Sequence, residues 1–78
     1  MKHVKVLGTG CAKCKATLKL IEDVAIVEHA EIRLDKIDDI RDIVSYGLMS
    51  TPGVVVDGKV VHAGGVPSRA AVESWLQQ

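Results

Sequence analysis

A chain of 78 residues has room for one domain with a small core, over residues 1–78, and none for two lobes with a cleft between them. Hydrophobic residues make up 47% and charged residues 26%, which excludes a disordered chain, and the absence of Phe leaves the core to Val, Ile, Leu and Ala. Ten basic residues balance ten acidic ones, and Tyr46 and Trp75 are the only aromatics, so no basic stripe interleaved with stacking rings exists to bind nucleic acid.

The first five residues place charges at Lys2 and Lys5, where a signal peptide would need its apolar segment. No apolar run in the chain approaches the roughly 20 residues of a membrane span. A cytoplasmic protein without a membrane partner is the expectation. Residues 2–7 alternate, with Val4 and Val6 on one side and His3 and Lys5 on the other, and read as a first strand. After the glycine-rich stretch at residues 8–10 the period changes. Cys14, Leu18, Ile21 and Ala25 fall at helical spacing, supported by Thr17, Leu20 and Val24, so a helix starts within or just after the turn with Thr9 or Gly10 as its cap.

Residues 29–34 alternate again, Ala30, Ile32 and Leu34 against Glu31 and Arg33, and read as a second strand. A second helix is expected over residues 35–46, from Ile37, Ile40, Ile43 and Val44 at helical spacing and Gly47 at the stop position. Strand, helix, strand in this order implies two parallel strands joined by a right-handed crossover. Pro52-Gly53 then interrupts the pattern, and Asp57-Gly58 stands between two Val-rich runs. That dipeptide predicts a tight hairpin, because both central turn residues need positive φ. Beyond Gly64-Gly65, Ser68 is the expected cap of a last helix whose buried stripe is Ala71, Val72, Trp75 and Leu76. The fold class is thus α/β in the order βαβαββα, a four-stranded mixed sheet flanked by three helices.

The two cysteines, Cys11 and Cys14, stand in the turn between the first strand and the first helix. At three residues' separation on a helix their side chains share a face, and a small adjustment brings them to disulfide distance. Such a short ring adds only about 2 kcal/mol in the loop-entropy model, so a permanent structural bond is a poor use of the pair. Redox exchange, a shared soft metal ion and inert packing are the three readings, and the strand before and helix after favour redox. Cys14 belongs to the inward stripe with Leu18 and Ile21 and is expected to be covered. Cys11, at the helix start, is expected to be exposed, where unpaired N–H groups and the helix dipole favour a thiolate and Lys15 can add to the effect. Cys11 is the expected nucleophile and Cys14 the resolving thiol. A closed zinc site wants four ligands, whereas His3, His29 and His62 lie in separate elements and read as solvated strand-end residues. Two thiolates alone remain able to hold Cu(I), mercury or zinc as a carrier would, the alternative function.

The turn Gly-Thr-Gly-Cys11-Ala-Lys-Cys14, Thr51-Pro52 before the third strand, the hairpin at residues 57–59 and Gly64-Gly65 before the terminal helix together resemble the thioredoxin/glutaredoxin superfamily. Within it, the resemblance is to the small archaeal and bacterial redox-active disulfide proteins, and it covers nearly the whole chain. It implies a thiol–disulfide oxidoreductase acting on protein disulfides. By the resemblance the proline matching Pro52 is cis beside the cysteines, and the backbone of Thr51 pairs with an extended segment of the partner; read from residues alone, Pro52 equally well breaks the chain before a strand. The substrate-binding surface so implied comprises Gly10, Ala12, Lys13, Thr51, Pro52, Gly64 and Gly65. A monomer without a cofactor, reduced by a thioredoxin reductase-like flavoenzyme, completes the expectation.

The chain also departs from that family. The aromatic residue that typically precedes the cysteines is Gly10 here, the intervening pair is Ala12-Lys13, and the buried acid of the preceding strand has no counterpart, Lys5 being the charged residue there. Small copper and mercury carriers also place Cys-x-x-Cys between a strand and a helix, but typically with Met before the first cysteine and a strand at the end. Here Gly10 precedes Cys11 and the chain ends in an amphipathic helix.

Overall fold

The computed structural model describes residues 1–10 and 12–77. Four strands and three helices follow one another as β1 (Lys2–Leu7), α1 (Ala12–Val27), β2 (Ile32–Ile37), α2 (Ile40–Ser45), β3 (Gly53–Val56), β4 (Lys59–Ala63) and α3 (Arg69–Gln77). They form one sheet in the order β2-β1-β3-β4, mixed because β1 pairs parallel with β2 and antiparallel with β3, which in turn pairs antiparallel with β4. The mixed four-stranded α/β architecture expected from the sequence is the one observed.

Alternation along β1 sorts its side chains between two layers. Val4 and Val6 join Val54 on one face, packed against Ile21, Val24 and Ala25 of α1 and Val72 and Leu76 of α3. Leu7 faces the other way and meets Val55 and Ile43 of α2 in a smaller cluster, edged by Ile37, Tyr46 and Leu48. The second layer is thin because α2 has six residues, so it covers one end of that sheet face only. That end is where β1 runs into the glycine turn.

The second strand and the second helix differ from the sequence expectation of residues 29–34 and 35–46. α1 ends in a Schellman motif: the His29 N–H donates to the Ile26 carbonyl at 3.2 Å and the Ala30 N–H to the Ala25 carbonyl at 2.9 Å, with His29 at φ 52. Residues 28–30 are therefore consumed in closing the helix, and the parallel ladder starts at Ile32, opposite Lys2, and runs to Ile37, opposite Leu7. α2 then starts late, capped by Asp39, whose side chain accepts from the Arg41 N–H at 2.9 Å. Only Ile43 of its apolar stripe is buried, while Ile40 and Val44 are about two-thirds exposed at 65% and 64%.

The hairpin is as the Asp-Gly pair requires, with Asp57 at φ 49 and Gly58 at φ 84, and β3 and β4 slip by one residue between Val54 and Val55. Ser68 caps α3, its hydroxyl accepting from the Ala71 N–H at 3.1 Å. α1 begins at Ala12, just after the glycine turn, and Cys11 lies outside the described residues.

Candidate active site

The site is assembled at the end of β1 where the two layers meet. Gly8 extends the parallel ladder, its N–H donating to the Ile37 carbonyl at 2.9 Å, so the base of the turn is tied to the end of β2. Cys14, on the first turns of α1, is 1% exposed, as its place on the apolar stripe requires. One turn on, the buried Thr17 hydroxyl donates to the Lys13 carbonyl at 2.8 Å, so that hydroxyl is buried with a partner.

The Cys14 sulfur lies directly against Gly8. A methyl group at Gly8 would overlap Cys14 Sγ, approach its Cβ at 3.3 Å, and stand 3.8 Å from Thr51 Cβ. Gly8 is thus the point where Cys14 and Thr51 come together, two residues distant in sequence whose common neighbour has no side chain. The Thr51–Pro52 peptide bond is cis; Thr51 is exposed and Pro52 buried.

The glycine pair joins the same end of the sheet. The Gly64 N–H donates to the Pro52 carbonyl at 2.9 Å, and a side chain at Gly64 would come 2.8 Å from Ser50 Oγ, so this loop packs on the segment before β3. Because a carbonyl only accepts, His62 Nε2 must donate to the Gly65 carbonyl at 3.0 Å, and the same ring packs tilted against Trp75 at 5.9 Å. Of the residues singled out from the sequence, Cys14 and Thr51 therefore both border Gly8, and Pro52, joined to Thr51, is hydrogen-bonded to Gly64, with Gly65 next in the chain. Ala12 and Lys13 are exposed on the first turn of α1, and Gly10 is partly exposed at φ 85. Cys11, the expected nucleophile, falls outside the described residues.

The charged groups beneath the site sit on the α2 face of the sheet. Lys5 Nζ donates to the Tyr46 hydroxyl at 3.0 Å, which anchors the ammonium at the end of α2. Its ladder neighbour Asp35 meets His3 Nε2 at 2.6 Å and Arg33 Nε at 3.3 Å. The hydrogen bond from His3 holds the Asp35 carboxyl below its ordinary value of 3.8, with the charges of Arg33, His3 and Lys5 acting the same way and partial desolvation opposing them.

Two contributors escaped the sequence reading as site residues. Gly8 could have been found, since a glycine between a strand and Cys-x-x-C is a natural seat for an inward thiol. Lys36 could not: a methyl group at Gly10 would stand 3.8 Å from Lys36 Nζ, a proximity across the ladder that no local pattern encodes.

A protein-family model described as "Thioredoxin domain" matches residues 2–77. A protein named "Thioredoxin" from Methanothermobacter thermautotrophicus is 29% identical over 76 residues, covering 97% of this chain and 99% of that protein. Another of the same name from Methanocaldococcus jannaschii is 27% identical over 77 residues, covering 99% of this chain and 88% of that protein.

Proposed function

The chain belongs to the thioredoxin domain family, and on that premise we propose that it exchanges disulfides with partner proteins through Cys11 and Cys14. One observation carries the reading: the inward thiol Cys14 is buried against Gly8 with Thr51, the residue before the cis proline, at the same point. A thiol that only filled space would have no use for a backbone ledge beside it.

In the proposed reaction the Cys11 thiol gives its proton to water and the thiolate attacks one sulfur of a partner disulfide docked along Thr51-Pro52. That S–S bond breaks, the leaving sulfur departs as a thiolate and is protonated, and Cys11 becomes joined to the partner. Cys14 then loses its proton and attacks Cys11 Sγ; the mixed disulfide breaks, a Cys11–Cys14 disulfide forms, and the partner leaves with two electrons and two protons more than it brought. Burial of Cys14 supports the order, since only a thiol at the surface reaches a partner's disulfide and a covered one reaches only its neighbour. Ala12, Lys13, Gly10 and the Gly64-Gly65 loop form the surrounding docking surface in this reading. The proposed setting is a cytoplasmic monomer of one domain over residues 1–78, reset by a thioredoxin reductase-like flavoenzyme; among the described residues no helix is long and apolar enough to cross a membrane.

Serine replacement tests the roles. Cys14→Ser is expected to accumulate a covalent Cys11–partner adduct with a disulfide-bonded protein such as insulin, and Cys11→Ser is expected to form none. Equal trapping by both variants, or trapping by neither, overturns the assignment.

A further inference from the structure

We infer that His62 is a positioning residue for partner docking, its imidazole holding the Gly64-Gly65 loop in place beside the Thr51-Pro52 ledge. The inference deepens the proposed function and rests on it, since the loop matters where a partner's disulfide-bearing segment docks along that ledge. The loop runs from Gly64 to Ser68, between the end of β4 and the start of α3. Its two glycines stand at φ 83 and φ 73, a conformation that glycine enters freely and therefore also leaves freely. Gly64 is tied by its N–H to the Pro52 carbonyl at 2.9 Å, and it lies close against Ser50 Oγ. Gly65 has no such packing, because a methyl group there would meet nothing within 4 Å. Its carbonyl accepts instead from His62 Nε2 at 3.0 Å.

The imidazole is itself held from behind. His62 lies on β4 opposite Val54, and its ring packs tilted on Trp75 of α3 with 5.9 Å between centroids. Trp75 in turn packs against the main core. A continuous set of contacts thus runs from α3 through Trp75, His62 and Gly65 to Gly64 and the carbonyl of the cis proline. The peptide joining Gly65 to Val66 is planar, so fixing the Gly65 carbonyl toward His62 turns the Val66 N–H the opposite way. A partner segment that meets a loop already ordered is spared the entropy of ordering it on docking. A small disulfide that reaches the thiols without a polypeptide to dock gains nothing from the loop. His62 takes no part in the thiol exchange itself.

The test compares two disulfides. Pre-reduced full-length protein is mixed with rising concentrations of insulin, or of hydroxyethyl disulfide, and the loss of its thiols is followed by acid quenching and alkylation. His62→Phe keeps a ring against Trp75 and cannot donate. It is expected to raise the half-saturating insulin concentration about threefold to tenfold, the change that one neutral hydrogen bond supports, with the limiting rate and the reaction with hydroxyethyl disulfide unchanged. His62→Gln, whose amide sets a donor near the place of Nε2, restores the unaltered value. His62→Glu, of the same shape without the donor at neutral pH, behaves as His62→Phe, so this pair decides the matter even if the Phe variant does not fold. Hydrogen exchange reads the loop without activity: the Gly64 amide should exchange about threefold to tenfold faster in His62→Phe and His62→Glu and not in His62→Gln. Unaltered half-saturation in both donor-less variants, an equal loss toward hydroxyethyl disulfide, or no recovery in His62→Gln overturns the role of His62 and leaves disulfide exchange standing. If the unaltered protein reacts with hydroxyethyl disulfide but not saturably with insulin, docking at the ledge fails and the role of His62 with it; if it reacts with neither, the exchange reaction itself fails.

Discussion

Replacing Gly8 by alanine puts the contact between the turn and the inward thiol to a direct test. Gly8 is outside the left-handed region of backbone space, so alanine is permitted conformationally and the perturbation is steric. The added methyl would overlap Cys14 Sγ and press on Cys14 Cβ at 3.3 Å. Neither neighbour yields easily, because Cys14 is fully buried and Gly8 is bonded to Ile37. Overpacking of this kind destabilises by about 1–3 kcal/mol, against which the stiffer unfolded chain returns about 0.4–1 kcal/mol. The net loss is up to about 2.5 kcal/mol, a fall in Tm of up to roughly 10 to 20 °C for a domain of this size. Urea unfolding of the reduced protein reads the same loss as a lower midpoint with an unchanged slope. The diagnostic step is a cycle with Cys14→Ala, which removes the sulfur the methyl collides with. Gly8→Ala should then be better tolerated in the Cys14→Ala background than alone, by about 0.5–3 kcal/mol of coupling. Effects that add to within about 0.5 kcal/mol would refute the contact as the cause.

Gly58 supplies the opposite case: its φ is 84 and a methyl there meets nothing within 4 Å. Gly58→Ala should cost about 1–2 kcal/mol through backbone conformation alone, and thermal unfolding that shows no loss would contradict the turn assignment. The carboxyl of Asp35 gives a pH signature. Its value is held below 3.8 by the His3 hydrogen bond and the charges around it, so its contribution to stability is present above the unfolded value and is lost as pH falls through the lower folded one. The stability gap between the unaltered protein and Asp35→Asn, followed by urea unfolding against pH, should therefore close in the acid range below the unfolded value; a gap that persists undiminished there contradicts the assignment.

Local signals carried most of the fold because they were chemically unambiguous. β1 was legible from strict alternation ending in glycine, the hairpin from Asp57-Gly58, and α3 from Ser68 ahead of its stripe. The boundary between β2 and α2 was not. Ile37, Ile40, Ile43 and Val44 imitate a helical face, yet Ile37 belongs to a strand and turns its side chain toward Leu7 and Ile43. It is apolar on that side only because α2 covers that end of the sheet, a fact of tertiary packing. Likewise nothing local marked residues 28–30 as a helix closure, since His29 takes up positive φ without being glycine. In the candidate site, the cysteine turn and the proline were visible as motifs, whereas their meeting at Gly8 and the approach of Lys36 to Gly10 depend on ladder register.

The sheet order also divides the molecule into two locally built pieces. The crossover β1-α1-β2 and the hairpin β3-β4 each close over short stretches of chain, and the sheet joins them along one seam, the ladder that sets Val4 to Leu7 against Val56 to Gly53. The upper end of this seam is where Gly8 and Cys14 from one piece meet Thr51, Pro52 and Gly64 from the other. Neither piece alone holds both the thiols and the ledge beside them, so the candidate site comes into being only as the two halves dock.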